Sequence, residues 1–284
     1  GLEPYFIDIE PDSWCMDINV LESVLKNLGD QVSVVIPYAT FGTNMDLSYY
    51  QELQESGMPV VIDGAASVGS RKNGEHFGKG FDGGVVFSFH ATKAFGIGEG
   101  GLVYSSSKQF IKNVQQAGNF GYRGSRESTL LGINGKMSEY MAAVGLATLD
   151  VFEEKIQTRN KVRQWYLDSF FNYLYHKGWS TQKCVGSLVP QTMSLLCPKG
   201  ERRDAIRERF HKEEIETRSY FSPSCHEQKE FNLCNHSTLD VTQEIAKRII
   251  SLPFWEEMSR EDVIRVVEMA SSSSLVSTGG ERSR

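Results

Sequence analysis

Over its first third the chain alternates short apolar runs with stretches of helical spacing. YFIDIE (Tyr5 to Glu10) alternates like a strand. NVLESVLKNL (Asn19 to Leu28) has the spacing of a helix, with Asp17 placed to cap it. VSVVIPYA (Val32 to Ala39) is a continuous β-branched run, the pattern of a strand buried on both faces. Leu47 to Gly57 reads as a helix stopped by its glycine. PVVIDGAA (Pro59 to Ala66), GGVVFSFH (Gly83 to His90) and GGLVYSS (Gly100 to Ser106) are three more strand patterns, followed by a helix from Lys108. Strand, helix and strand at this spacing predict an α/β fold with a mainly parallel sheet. Ligands of such sheets sit at the carboxyl ends of the strands. Asp63 and Ser88 fall at those ends.

After a glycine-rich loop (Gly118 to Lys136) the texture changes. Met137 to Leu174 predicts one long or broken amphipathic helix. PQTMSLLCP, a charged helix near Ala205 and a last helix over Arg260 to Ala270 follow, an α+β pattern. The expected organisation is a large domain over 1–150, a smaller C-terminal domain over 151–270 and a low-complexity, disordered tail over 271–284.

Composition narrows the function classes. With 284 residues, 40% hydrophobic, the chain can bury a sizeable core. A net charge of −6 and scattered lysines and arginines argue against nucleic acid as partner. The Glu201 to Glu214 stretch mixes both signs and reads as a solvated helix face. No apolar run is long enough for a membrane span. Five widely spaced cysteines without a CxxC pair fit neither a disulfide framework nor a zinc site, and point to a reduced, cytoplasmic setting.

Three residues could carry chemistry. Asp63 follows a buried strand and precedes small residues that admit a flat ligand; an isolated Asp at a strand end is more often a cap or turn residue, and its weight rises only with partners. Lys93 lies between two strand patterns among Gly, Ser, Thr and His, where burial would make an amine nucleophilic; otherwise it is a solvated charge. Ser88, at a strand end, could bind phosphate or satisfy its own backbone. An amine with a carboxylate partner is the pair that pyridoxal phosphate (PLP) requires, because the acid keeps the pyridine nitrogen protonated. Gly96, Gly98, Gly100 and Gly101 precede a strand, which excludes a dinucleotide fingerprint and leaves a tight turn.

VVIDGAASVGS, FDGGVVFSFHATKAFGIGEGGLVYS and GINGKMSEYMAAVGLATLD together resemble the DegT/DnrJ/EryC1/StrS family of PLP-dependent sugar aminotransferases. The resemblance runs from Pro4 to Ala270 and implies the aspartate-aminotransferase fold (PLP fold type I). It implies Lys93 as the Schiff-base lysine, Asp63 as the acid on the pyridine nitrogen and Ser88 as a phosphate ligand. It implies Asn134 as a group reaching the cofactor phosphate of the neighbouring subunit, and so a homodimer with shared sites. His90 lies near the cofactor in a supporting role. Ala66 stands where many members place a glutamine beside the cofactor, and Lys136 where many have arginine. The implied substrates are a nucleotide-linked keto sugar and an amino donor, glutamate in the family.

The resemblance begins part-way through the family's large domain. The preceding part normally supplies a phosphate-binding turn at a helix N-terminus and an aromatic residue that stacks on the ring. The chain is thus expected to be a fragment, and the alternative to an aminotransferase is a non-catalytic remnant or a regulatory partner with an incomplete cofactor site. A related dehydratase branch replaces the lysine by histidine, and Lys93 argues against it.

Overall fold

The computed structural model describes residues 1–272; the expected disordered tail, apart from its first two residues, lies outside them. Helix α1 (Ile18–Leu28) starts where expected, with the Asp17 carboxylate accepting from the amides of Asn19 and Val20. Helix α2 (Ser48–Glu55) ends just before Gly57. Strand β1 (Val61–Asp63) follows, then a small hairpin of β2 (Arg71–Lys72) and β3 (Glu75–His76), then β4 (Gly84–Ser88) and β5 (Gly101–Tyr104). The order in the sheet is β1, β4, β5.

The run from Val32 to Ala39 lies beside β1 but forms no continuous strand, and the reason is local. Val35 N–H donates to Pro59 O, Val61 N–H to Val35 O, Asp63 N–H to Pro37 O and Ala39 N–H to Asp63 O. The rung missing from this parallel ladder is the one Pro37 would donate, and proline has no N–H. Tyr5 to Glu10 also falls short of a strand: Phe6 pairs only with His236 and Ile9 only with Met16. The sheet is parallel from this run through β4, whereas β5 runs antiparallel to β4. Between β4 and β5 lies a turn without a helix, which reverses the chain where a crossover would have kept its direction.

Helix α3 (Lys108–Ala117) is capped by Ser107. Helix α4 (Glu139–Tyr173) is unbroken over 35 residues, about 50 Å, and crosses position 150 without interruption. A second sheet, antiparallel, joins β6 (Ser180–Thr181), β7 (Met193–Leu196) and β8 (Ile249–Leu252). It is flanked by α5 (Arg203–Lys212), α6 (Asp240–Arg248) and α7 (Arg260–Ser271). One apolar cluster gathers Leu21, Val35, Tyr50, Ile62, Val85 and Phe87 around the first sheet. Another gathers Val162, Tyr166, Phe170, Leu195, Phe210 and Ile250 around the second. Phe95 and Ile97 meet Phe152 of α4 and Val189 in a smaller cluster between them. Among the described residues no helix is long and apolar enough to cross a membrane.

Asp8 ties the N-terminal segment to α6. Its carboxylate accepts from the amides of Val241 and Thr242 and from the Thr242 hydroxyl, capping a helix more than two hundred positions away. Asp8 is 7% exposed. Burial would raise its carboxyl, but these hydrogen bonds and one from Ile9 N–H outweigh it and hold the group below its ordinary range. A depressed folded-state pKa stabilises above the unfolded value of about 3.9 and ceases to do so as pH falls through the folded one. Asp8→Asn should therefore cost about 1 kcal/mol at neutral pH. In urea unfolding, the gap from wild type should narrow as the pH is lowered towards 3.

Candidate active site

The register of β1 on β4 pairs Ile62 with Val85 and Asp63 with Val86. Because a strand alternates its faces, Ile62, Val85 and Phe87 turn towards the core, and Asp63, Val86 and Ser88 share the opposite face. Ser88 lies two residues, about 7 Å, beyond the partner of Asp63. Asp63 Oδ1 accepts from Ala65 N–H at 2.9 Å, which orients the carboxylate. Its other oxygen has no hydrogen-bond partner among the described residues. Tyr38 pairs with Asp63 across the interrupted parallel ladder. Burial, with the Asp63 charge beside it, pushes the Tyr38 phenol up to about 12.

The turn between β4 and β5 presents Lys93. Phe89 N–H donates to Gly100 O, Ile97 N–H to Phe89 O, Ala91 N–H to Gly98 O and Lys93 N–H to His90 O. A Cβ at Gly96 would stand 2.7 Å from Ala91 O, so no larger residue lets the turn close this tightly. Just beyond the lysine, Ala94, Phe95 and Ile97 are buried, and the Phe95 ring meets Phe89 and Phe152 at centroid distances of 5.0 and 4.9 Å. The backbone around Lys93 is thereby anchored, while its amine makes no hydrogen bond or ion pair among the described residues.

The remaining candidates divide. The Ser88 hydroxyl accepts from His90 N–H at 3.3 Å. His90 is exposed, with Nδ1 2.8 Å from the Thr92 hydroxyl and Nε2 3.7 Å from Glu99. Ala66 is buried, and its carbonyl accepts from the Gln191 amide at 3.1 Å. Asn134 stands apart: it is exposed on the loop folded against α3, pairs with Asn119 and accepts from Lys136 Nζ at 2.6 Å. No hydrogen bond among the described residues links it to the Asp63–Lys93 corner.

The resemblance also marks Arg218 to Gln228 as a substrate-side segment, whereas the segment around Gln191 carries no sequence signal. Gln191 lines a cleft of about 490 Å³ with Arg218, Tyr220, Phe254, Trp255 and Arg265. The Gln182 amide donates to Thr40 O, and Val185 N–H to the Thr43 hydroxyl. The segment 182–191 thus straps the loop after Tyr38 and the turn after Asp63. No local motif announces these contacts, because the partners are separated by more than a hundred residues.

An amine, a carboxylate oxygen without a partner and a strand-end hydroxyl at one sheet edge suit the aldehyde, ring nitrogen and phosphate of PLP. The residues present fit that cofactor by the chemistry of their donor set.

Comparisons with known proteins agree. Protein Rv3402c of Mycobacterium tuberculosis is 33% identical over 274 residues; the match covers 94% of this chain and 65% of that protein. The chain therefore spans about two thirds of the length of such relatives. A Bacillus cereus crystal structure, assigned as a PLP-dependent aminotransferase, superposes with a TM-score of 0.94 at 45% identity, covering 96% of this chain and 74% of that one. DesI, solved in the presence of its TDP-sugar product, superposes with a TM-score of 0.84 at 29% identity, covering 94% and 68%. The fold is fold type I, as the sequence led us to expect. Residues 1–271 match the model of one family, and the chain belongs to it: the DegT/DnrJ/EryC1/StrS aminotransferase family.

Proposed function

We propose that this protein acts as a PLP-dependent aminotransferase that moves an amino group from glutamate to a nucleotide-linked keto sugar in the cytoplasm. The observation that carries the reading is the corner itself. Asp63 and Ser88 share one face at the strand ends, and the turn leaving Ser88 presents Lys93 with its amine unengaged. Bound there, PLP would supply an electron sink for the carbanion formed at the substrate carbon.

The chain's own residues have separate tasks. The Lys93 amine anchors the cofactor's aldehyde carbon. With PLP bound, the freed Lys93 amine would be the base that holds the proton taken from the substrate carbon during the 1,3-proton shift. Asp63, oriented by Ala65 N–H, keeps the ring nitrogen protonated. Ser88 donates its hydroxyl to the phosphate, and Ala66 offers only a methyl group and backbone beside the ring. His90, steadied by Thr92, supports the turn from its exposed side. That DesI was solved with a TDP-sugar product supports the substrate class. Among the described residues all five cysteines are free, which supports a reducing compartment.

The homodimer belongs to the same proposal. Leu131, Ile133, Tyr140, Leu146, Leu149 and Val151 are exposed on and before the first half of α4, with Leu131 97% exposed. So many exposed large apolar side chains in one region suit a partner subunit. Asn134 projects from this region, and in a dimer its amide serves the neighbour's phosphate.

Two outcomes test the reading. Borohydride should fix PLP covalently at Lys93, and Lys93→Ala should lower turnover by about 10²–10⁴-fold or more. Wild-type protein that takes up no PLP, or a Lys93→Ala protein that still transaminates, removes the assignment. Separately, mixing inactive Lys93→Ala with weakened Asn134→Ala subunits should recover activity, since one of the two shared sites then has both residues intact. If Asn134 served its own subunit's site, mixing would recover nothing.

A further inference from the structure

We infer that Arg159 and Gln191 form a positioning device that holds the Asp63–Ala66 turn from the 190–191 segment. The inference rests on the proposed cofactor site for its meaning, but the contacts that carry it are independent of any ligand.

Arg159 is 6% exposed, a costly place for a charge unless it is paired and fully hydrogen-bonded. Here it is paired, and each of its three nitrogens faces an acceptor. Its Nε donates to Pro190 O at 2.6 Å and one terminal nitrogen to Glu256 Oε1 at 2.5 Å; the other points at Gln191 O, 3.5 Å away. The guanidinium carbon lies 5.1 Å from the Phe254 ring centre. Lys155 Nζ adds a second cation 3.1 Å from Glu256. Burial would raise the Glu256 carboxyl, but its bonds to Arg159 and Lys155 hold it below the usual carboxylate range.

The guanidinium thus holds the Pro190 carbonyl, one residue before Gln191, and its other arm faces the Gln191 carbonyl at the outer edge of hydrogen-bond reach. The Gln191 side chain then crosses to the large sheet and donates to Ala66 O. Ala66 closes the short turn in which Ala65 N–H orients the Asp63 carboxylate. The path is continuous: α4, Arg159, the 190–191 backbone, the Gln191 amide, the turn and the acid. Neither Arg159 nor Gln191 needs to touch the cofactor. Their effect reaches it through the aim of Asp63.

A residue that only stabilises the fold would alter melting without singling out this turn. The test therefore uses Gln191→Met, which keeps the length but loses the N–H, and Arg159→Lys, which keeps the charge and the Glu256 pair but loses the fork. In the cofactor-free protein, amide hydrogen exchange across residues 63–70 should speed up in each variant. The double variant should be no faster than Gln191→Met, because both changes cut one path. With PLP added, each should weaken cofactor binding about threefold to tenfold, the scale of one hydrogen bond. The pH midpoint of the bound cofactor's visible absorbance should also move, since that midpoint follows the imine proton, whose affinity depends on the ring-nitrogen charge that Asp63 maintains. Unchanged exchange in Gln191→Met, or an Arg159→Lys effect that adds in full to it, overturns the inference; so does normal PLP binding with an unmoved midpoint in both variants. If wild type takes up no PLP, the functional assignment falls, while the exchange data still judge the tie.

Discussion

The pairing of β1 with β4 is the constraint on which the rest hangs. Parallel registry sets Asp63 against Val86, and strand alternation then decides everything at that edge. Ile62 and Val85 must face the core, because the cluster with Val35, Tyr50 and Phe87 forms only on that side. Asp63 and Ser88 are thereby forced onto the other face. A slip of one residue would bury the carboxylate among these apolar side chains and turn Ile62 outwards. The hydrophobic core therefore fixes the positions of two polar groups that contribute nothing to it.

Lys93 obeys a different rule, since it lies outside the regular sheet. Its position is set by a turn whose ends are β4 and β5 and whose middle is nailed down by Phe95 and Ile97. The aromatic contacts of Phe95 with Phe89 and Phe152 tie that turn both to the strand it leaves and to α4. A lysine on an unanchored loop would lose entropy each time its amine was brought to the sheet edge. Here most of that cost is met when the core packs.

What was legible in the sequence follows from range. Asp63, Ser88 and Lys93 could be read because each sits within a few residues of a strand pattern and a small-residue turn. Helix α1 could be read from its spacing and from Asp17. The run at Val32 predicts an uninterrupted strand because its β-branched residues outweigh one proline in any pattern; the structure loses the rung at Pro37. The direction of β5 was not legible, since a twelve-residue link of glycines and aromatics fits a reversal or a crossover until its hydrogen bonds are known. Helix α6 and strand β8 went unnoticed because their stability lies in distant partners: Asp8 caps the one, and β7 pairs with the other.

The same distinction explains why the tie between Gln191 and the turn after β1 is invisible to pattern. Gln191 and Ala66 are 125 residues apart, and neither is a residue type that signals chemistry. Arg159 looks like one more charge on a long helix until its burial is known. Yet a buried charge is the strongest local demand in that region: its donors must find acceptors, and the carbonyls of Pro190 and Gln191 answer it. That demand fixes the path of a segment which pattern would call an irregular connection. Once the segment is fixed, the Gln191 amide donates to the Ala66 carbonyl in the turn after β1. The acid at the end of β1 is thus held on one side by the core of its own sheet and on the other by a charge that could not otherwise be buried.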